Sequence, residues 1–184
     1  MGLLRFLRKL KLKEKEMRIL FLGLDNAGKS SVIKAFMGES IDDLSPTLGF
    51  EIKTVECQGY RLSCWDVGGQ STIRAYWRNY FEATDGVVWV VDSTDRERMA
   101  LCKKELDSIL QQERLASASL LILANKQDIG GAMESTEIRD ILDLDRIQRR
   151  HWSIVPCSAA TRKGVEDGVV WLVNDIGSRL FTHP

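Results

Sequence analysis

Eight consecutive residues, Gly23-Leu24-Asp25-Asn26-Ala27-Gly28-Lys29-Ser30, match the spacing G-x-x-x-x-G-K-[ST] of a loop that cradles phosphates. Gly23 and Gly28 let the backbone curl so that successive N–H groups point at one place. The helix expected to begin near Ser31 adds its positive N-terminal end. Residues 25–31, meaning Asp25, Asn26, Ala27, Gly28, Lys29, Ser30 and Ser31, are therefore the candidate phosphate ligands. Lys29 reaches the outer phosphates, and the Ser30 hydroxyl is placed for a Mg²⁺ ion that bridges them. A carboxylate beside an anion is repulsive, so the Asp25 side chain is expected to turn away.

Three more segments carry chemistry of the same kind. Asp66 can hold the metal from its far side through water, and Gly69 lets a backbone N–H approach a terminal phosphate with no side chain in the way. Gln70 could orient an attacking water, and Thr47 offers a hydroxyl to the metal and an N–H to the γ-phosphate. Asn125-Lys126-Gln127-Asp128 discriminates best, because guanine presents two N–H donors that one carboxylate, Asp128, accepts together. Adenine lacks that pair and would leave the carboxylate unsatisfied. The Lys126 stem could cover the purine, Asn125 could tie this loop to the first one, and Cys157-Ser158-Ala159 would add a backbone N–H toward the guanine carbonyl. No arginine lies between Lys34 and Lys53, and Arg74 and Arg78 fall on a helix better suited to partner contact. The arginine that neutralises developing charge is thus expected from another protein, with slow unassisted turnover.

These segments need strand ends to hold them. Residues 17–22 form a strand-length apolar run before the phosphate loop; a polar loop spans 38–49; strands are predicted over 50–57 and 60–65, joined at Gln58-Gly59. A short helical stretch to Phe81 follows. Strands at 86–91, 119–124 and 152–157 then alternate with helices near 97–113, 134–143 and 165–181. Such alternation implies an α/β fold with a mostly parallel sheet covered on both faces, in which ligands bind beyond the carboxyl ends of the strands.

With 184 residues the chain can bury a full core without disulfides, and its four cysteines are dispersed, as in reduced cytosolic proteins. Its apolar runs are too short to cross a bilayer. The net charge is zero, yet residues 1–18 carry seven basic side chains against two glutamates, giving +5 there and −5 on the remainder. An acidic body argues against nucleic acid. Leu3, Phe6, Leu7 and Leu10 fall at helical spacing among those basic residues, the pattern of an amphipathic helix over 1–16 preceding a domain over 17–184. Three fates fit its apolar face: the domain's own surface, a membrane, or a partner's groove. Phe6 stands where an N-myristoylation signal wants Ser or Thr, so no acyl chain and only weak membrane contact are expected.

The segments Gly-Leu-Asp-Asn-Ala-Gly-Lys-Ser, Ser-Pro-Thr-Leu-Gly-Phe, Trp-Asp-Val-Gly-Gly-Gln, Tyr-Trp-Arg-Asn-Tyr-Phe and Ala-Asn-Lys-Gln-Asp resemble the Arf and Arf-like small GTPases over nearly the whole chain. The resemblance implies a six-stranded sheet with one antiparallel edge hairpin, a monomer that binds GTP or GDP with Mg²⁺, and a hairpin at 50–65 that slides to release the N-terminal helix. It implies an aromatic effector surface at Phe50, Trp65 and Tyr80, residues that core packing would explain equally well. It also implies an exchange factor and an activating protein. The unacylated start fits the Arf-like subtype, whose implied partners are carriers of lipidated proteins and tubulin-folding cofactor D, and whose implied location is the cytoplasm or the microtubule-organising centre. The alternative is a membrane-recruited Arf-type trafficking GTPase. A metabolic phosphotransferase is the third reading, and the Asn-Lys-Gln-Asp run opposes it.

Overall fold

The computed structural model describes residues 14–180; the expected N-terminal helix, with Leu3, Phe6, Leu7 and Leu10, lies outside them. The elements are β1 (Glu16–Leu22), α1 (Lys29–Met37), β2 (Phe50–Cys57), β3 (Tyr60–Val67), α2 (Ser71–Arg74), β4 (Gly86–Asp92), α3 (Met99–Leu110), β5 (Ser119–Asn125), α4 (Ser135–Ile141), β6 (Trp152–Pro156) and α5 (Val165–Leu180). The strands form one six-stranded sheet in the order β2-β3-β1-β4-β5-β6. Among the described residues only β2 and β3 pair antiparallel; the other pairings are parallel.

The central strands are apolar throughout because both of their faces are covered. Side chains alternate across a strand, so Leu20, Leu22, Val87, Trp89, Leu120 and Ile122 face one layer, where they meet Met99, Cys102, Leu106 and Ile109 of α3 and Ile138 of α4. Ile19, Phe21, Val88, Val90, Leu121 and Leu123 face the other, against Val32 and Ile33 of α1 and Val169, Leu172, Val173 and Ile176 of α5. Chain order reverses at β1, with β3 on one side and β4 on the other, and the crevice beyond such a reversal is where open α/β sheets hold ligands. The 23–30 loop leaves β1 at that point.

The helical stretch expected to run to Phe81 is broken into α2 and a separate 3₁₀ turn, Trp77–Tyr80. The indole of Trp77 is the cause: it is buried, donates to the Gly68 carbonyl at 2.8 Å, and meets Trp89 edge-on with centroids 5.8 Å apart. The helix expected over 97–113 is shorter at both ends, because Asp95 accepts the Arg98 N–H at 3.2 Å and starts a 3₁₀ turn there, while a second 3₁₀ turn takes Glu113–Leu115.

Leu121 is fully buried at the centre of the layer under α1 and α5. Leu121→Ala should cost about 2–5 kcal/mol and lower the thermal midpoint of the nucleotide-loaded domain by several degrees. Ile129→Ala, at a half-exposed loop position, should leave the midpoint nearly unchanged in the same melting experiment.

Candidate functional site

A cavity of about 320 Å³ opens at the carboxyl end of β1, lined by Asp25, Asn26, Gly28, Lys29, Ser30 and Ser31 of the first loop, by residues 44–47, and by Gly68, Gly69 and Gln70. Gly28 takes φ +97° at the N-cap of α1, and no side chain caps that helix, so its first N–H groups remain free to meet an anion. The helix starts at Lys29, two residues before the expected Ser31, which places Ser30 and Ser31 in its first turn. Lys29 is 6% exposed and donates to the carbonyls of Gly23 (3.1 Å) and Leu24 (2.9 Å). Burial pulls its ammonium down to about 8 from the ordinary 10.5, against the opposing pull of Asp66 and Asp25.

Ser30, Thr47 and Asp66 meet at one point. The Ser30 hydroxyl donates to Asp66 Oδ2 and lies 3.0 Å from Thr47 Oγ1, which donates to the same carboxylate oxygen at 3.3 Å. The other oxygen, Asp66 Oδ1, is buried with no partner among the described residues. Burial pushes the Asp66 carboxyl above the usual range, opposed by the Ser30 hydroxyl, the Lys29 ammonium and Thr47. Two hydroxyls and one carboxylate with an unsatisfied buried oxygen are hard donors that suit a Mg²⁺ ion. Gln70 Oε1, which lines the cavity, is likewise buried with no donor among the described residues.

Gly69 is required for a reason beyond the expected one. A Cβ there would stand 2.4 Å from the Gly23 carbonyl oxygen and 2.5 Å from the Asp25 nitrogen, so residues 68–70 lie directly against the phosphate loop. Asp25 does turn its carboxylate outward, and the structure shows where: it accepts from Arg98 Nη1 at 3.0 Å and from Arg74 Nη2 at 3.4 Å. Arg74 thereby has an 11% exposed side chain, whereas Arg78 is exposed.

The second half of the site is joined to the first by one amide. Asn125 donates to the Ala27 carbonyl at 3.0 Å and accepts the Ala159 N–H at 3.0 Å. Lys126, at φ +68°, donates to the Asn26 carbonyl at 2.7 Å and to Asp92 at 2.6 Å, and the latter bond helps hold the Asp92 carboxyl below its usual range despite burial. Ser158 donates to Asp128 Oδ1 at 2.6 Å, which fixes an otherwise exposed carboxylate. The N–H groups of Cys157, Ser158 and Ala159 go to Ala124, Lys163 and Asn125, so the N–H expected from these three toward a purine carbonyl is already engaged within the protein. Gln127 holds the loop from behind through Ser93 (3.0 Å) and the Met133 carbonyl (2.9 Å). Gln127 was visible inside the motif but has no sequence signal for that role; nor has Asp92 or Arg98.

Phe50, Trp65 and Tyr80 form one aromatic group on the flank of the site. Phe50 stacks on Trp65 at 5.4 Å and tilts against Tyr80 at 5.1 Å, while the Arg18 guanidinium sits 3.7 Å above the Trp65 ring and donates to the Tyr80 carbonyl at 2.8 Å. Phe50 is 47% exposed and neighbouring Leu48 87%, so the group is a surface as well as a packing unit.

Residues 3–176 match the model of the ADP-ribosylation factor family. The chain is 57% identical to ADP-ribosylation factor-like protein 2 of Drosophila melanogaster, across 99% of both chains. It is 59% identical to the protein of the same name from Arabidopsis thaliana, across 98% of both. Among solved structures it is similar to the Arl6 BBS3 small GTPase from Trypanosoma brucei with bound nucleotide analogue GppNp. That likeness has a TM-score of 0.83 at 27% identity and covers 89% of this chain and 99% of the other.

The depressed Lys29 has a pH signature. Below about 8 the ammonium is charged in both folded and unfolded chains, and its burial costs stability in full. Between about 8 and 10.5 the unfolded chain holds the extra proton, so this group makes stability rise with pH. A bound diphosphate favours the charged form, and GDP binding at pH 8.5 should take up more than half a proton. Calorimetry in two buffers of different ionisation heat measures this directly; binding with no proton uptake would contradict it.

Proposed function

The chain belongs to the ADP-ribosylation factor family of small GTPases, which hydrolyse GTP, and from that membership we propose that it is an Arf-like switch in which the residues above hold guanosine nucleotide and Mg²⁺. The observation that carries the reading is the Asn125 side chain, which fastens the base loop to the phosphate loop and to Ala159 at once. A nucleotide spanning both loops would find them at a fixed separation.

In this reading the N–H groups of residues 25–31 and the Lys29 ammonium bind the β- and γ-phosphates, exchanging the Gly23 and Leu24 carbonyls for phosphate oxygens. Ser30, Thr47 and, through water, Asp66 hold the metal, which when bound neutralises phosphate charge. Asp128 accepts the guanine N1 and N2 hydrogens, and Lys126 lies along the base. Gln70 Oε1, a buried acceptor without a donor, orients a water whose oxygen bonds to the γ-phosphorus as the bond to the β–γ bridging oxygen breaks. GDP leaves with that oxygen; inorganic phosphate leaves with the water's oxygen and one of its protons, and the second proton passes to solvent.

Arg74 and Arg98, the arginines gathered at Asp25, are committed to Gly69, Glu105, Asp25 and Asp95. That commitment supports slow unassisted hydrolysis and an activating protein that supplies an arginine, with an exchange factor to release GDP. The half-exposed group of Phe50, Trp65 and Tyr80 is the surface we assign to effectors of the triphosphate form: carriers of lipidated proteins and, in the microtubule pathway, tubulin-folding cofactor D. We place the protein in the cytoplasm or at the microtubule-organising centre, as a monomer with weak membrane contact.

Displacement of a fluorescent GDP tests the base assignment. Unlabelled GTP should compete at least about 1,000-fold better than ATP, since a partly unpaired Asp128 costs several kcal/mol. Asp128→Asn should weaken GTP binding by about tenfold or more. Equal competition by ATP would overturn the reading.

A further inference from the structure

Four charged side chains gather beside the phosphate loop: Asp25, Arg74, Arg98 and Glu105. Arg74 donates from Nε to the Gly69 carbonyl at 2.8 Å, from Nη1 to Glu105 of α3 at 3.3 Å, and from Nη2 to Asp25 at 3.4 Å. Arg98 donates to the same Asp25 carboxylate oxygen and to the Asp25 carbonyl, both at 3.0 Å. Asp25 and Glu105 thus lie against two guanidinium groups and offset their mutual repulsion. The Arg74 side chain is 11% exposed and that of Glu105 24%, so this pair is screened less than a surface pair, while the Asp25 carboxylate, 41% exposed, holds the guanidinium chiefly by direction.

The geometry bears on Gln70. A peptide unit is planar and trans, so a guanidinium that holds the Gly69 carbonyl also sets the direction of the Gln70 N–H and the point from which the Gln70 side chain departs. Arg74 grips the turn a second time, because its own N–H donates to the Gln70 carbonyl at 3.1 Å. The side chain then anchors this turn to two elements outside it, the phosphate loop through Asp25 and α3 through Glu105. The turn cannot tilt away from the cavity without breaking bonds to both.

We propose that Arg74 is a positioning residue for hydrolysis: it clamps residues 68–74 onto the phosphate loop and fixes the orientation in which Gln70 meets the attacking water. The proposal rests on the GTPase reading above. It gives the outward turn of Asp25 a purpose, since the carboxylate that avoids the phosphates is the anchor for the clamp.

The test is single-turnover hydrolysis of preloaded GTP, followed over hours by chromatography, with GDP dissociation measured in parallel on the full chain. Arg74→Ala should slow hydrolysis by about tenfold or more while changing GDP dissociation by less than about threefold. Arg74→Lys, whose single ammonium cannot bridge all three acceptors, should remain several-fold below wild type. Glu105→Gln, a milder change, should shift hydrolysis in the same direction by a smaller factor. Wild-type hydrolysis in Arg74→Ala or Arg74→Lys would overturn the clamp, as would loss of GDP in proportion to the loss of rate. A wild-type chain that binds GTP and never hydrolyses it would instead overturn the GTPase reading, and the clamp with it.

Discussion

The site is built around a buried positive charge. Lys29 places an ammonium inside a loop of backbone carbonyls, 6% exposed, where burial alone would favour the neutral amine. In the function proposed above, an anion brought to the same place balances that cost. The uncapped start of α1 points at it, and Asp25 is drawn off to the far side of the loop by two arginines. The oxygen donors of Ser30, Thr47 and Asp66 gather beside it. In the proposed function an adjacent polyphosphate accounts for each arrangement.

The parallel sheet brings this local chemistry together with the base-loop candidates. Because β1, β4 and β5 run side by side in one direction, the loops after Leu22, Asp92 and Asn125 emerge at one edge. Backbone contacts then fix their spacing: Asn125 and Lys126 hold carbonyls of the phosphate loop, and Gly69 presses against it so closely that no side chain fits. The antiparallel hairpin is the exception at the sheet's edge. It brings Asp66 to Ser30 and Thr47 at one end and carries Phe50 and Trp65 on the flank, so the oxygen-donor group and the half-exposed aromatic surface share a single hairpin.

The strand order of chemistry along the chain was legible because its motifs are local. The phosphate loop and the Asn125–Asp128 run declare themselves through residue types a few positions apart, and the apolar runs of β1, β4 and β5 are too uniform to be anything but covered strands. What the sequence hides is any role that depends on a distant acceptor. Arg98 reaches Asp25 across 73 positions, and Arg150 serves the carbonyls of Leu115 and Ala118, which no pattern of side chains reveals. The engaged N–H of Ala159 was equally invisible, because it depends on which way the Asn125 amide points. Arg74 looked like a surface residue for the same reason: its carboxylate partners Asp25 and Glu105 lie 49 and 31 positions away. The break between α2 and Trp77–Tyr80 came from tertiary packing of one indole, which overrides the local helical preference.

The central claim is that a third phosphate, held between the 44–49 loop and residues 68–74, decides the shape of this molecule. Hydrogen–deuterium exchange of the full chain, loaded in turn with GDP and with a non-hydrolysable GTP analogue, tests it most directly. The account predicts marked protection of the backbone around Thr47 and Gly69 in the triphosphate form, with β5 and α5 unchanged. Identical exchange of both segments in the two loaded forms would contradict it.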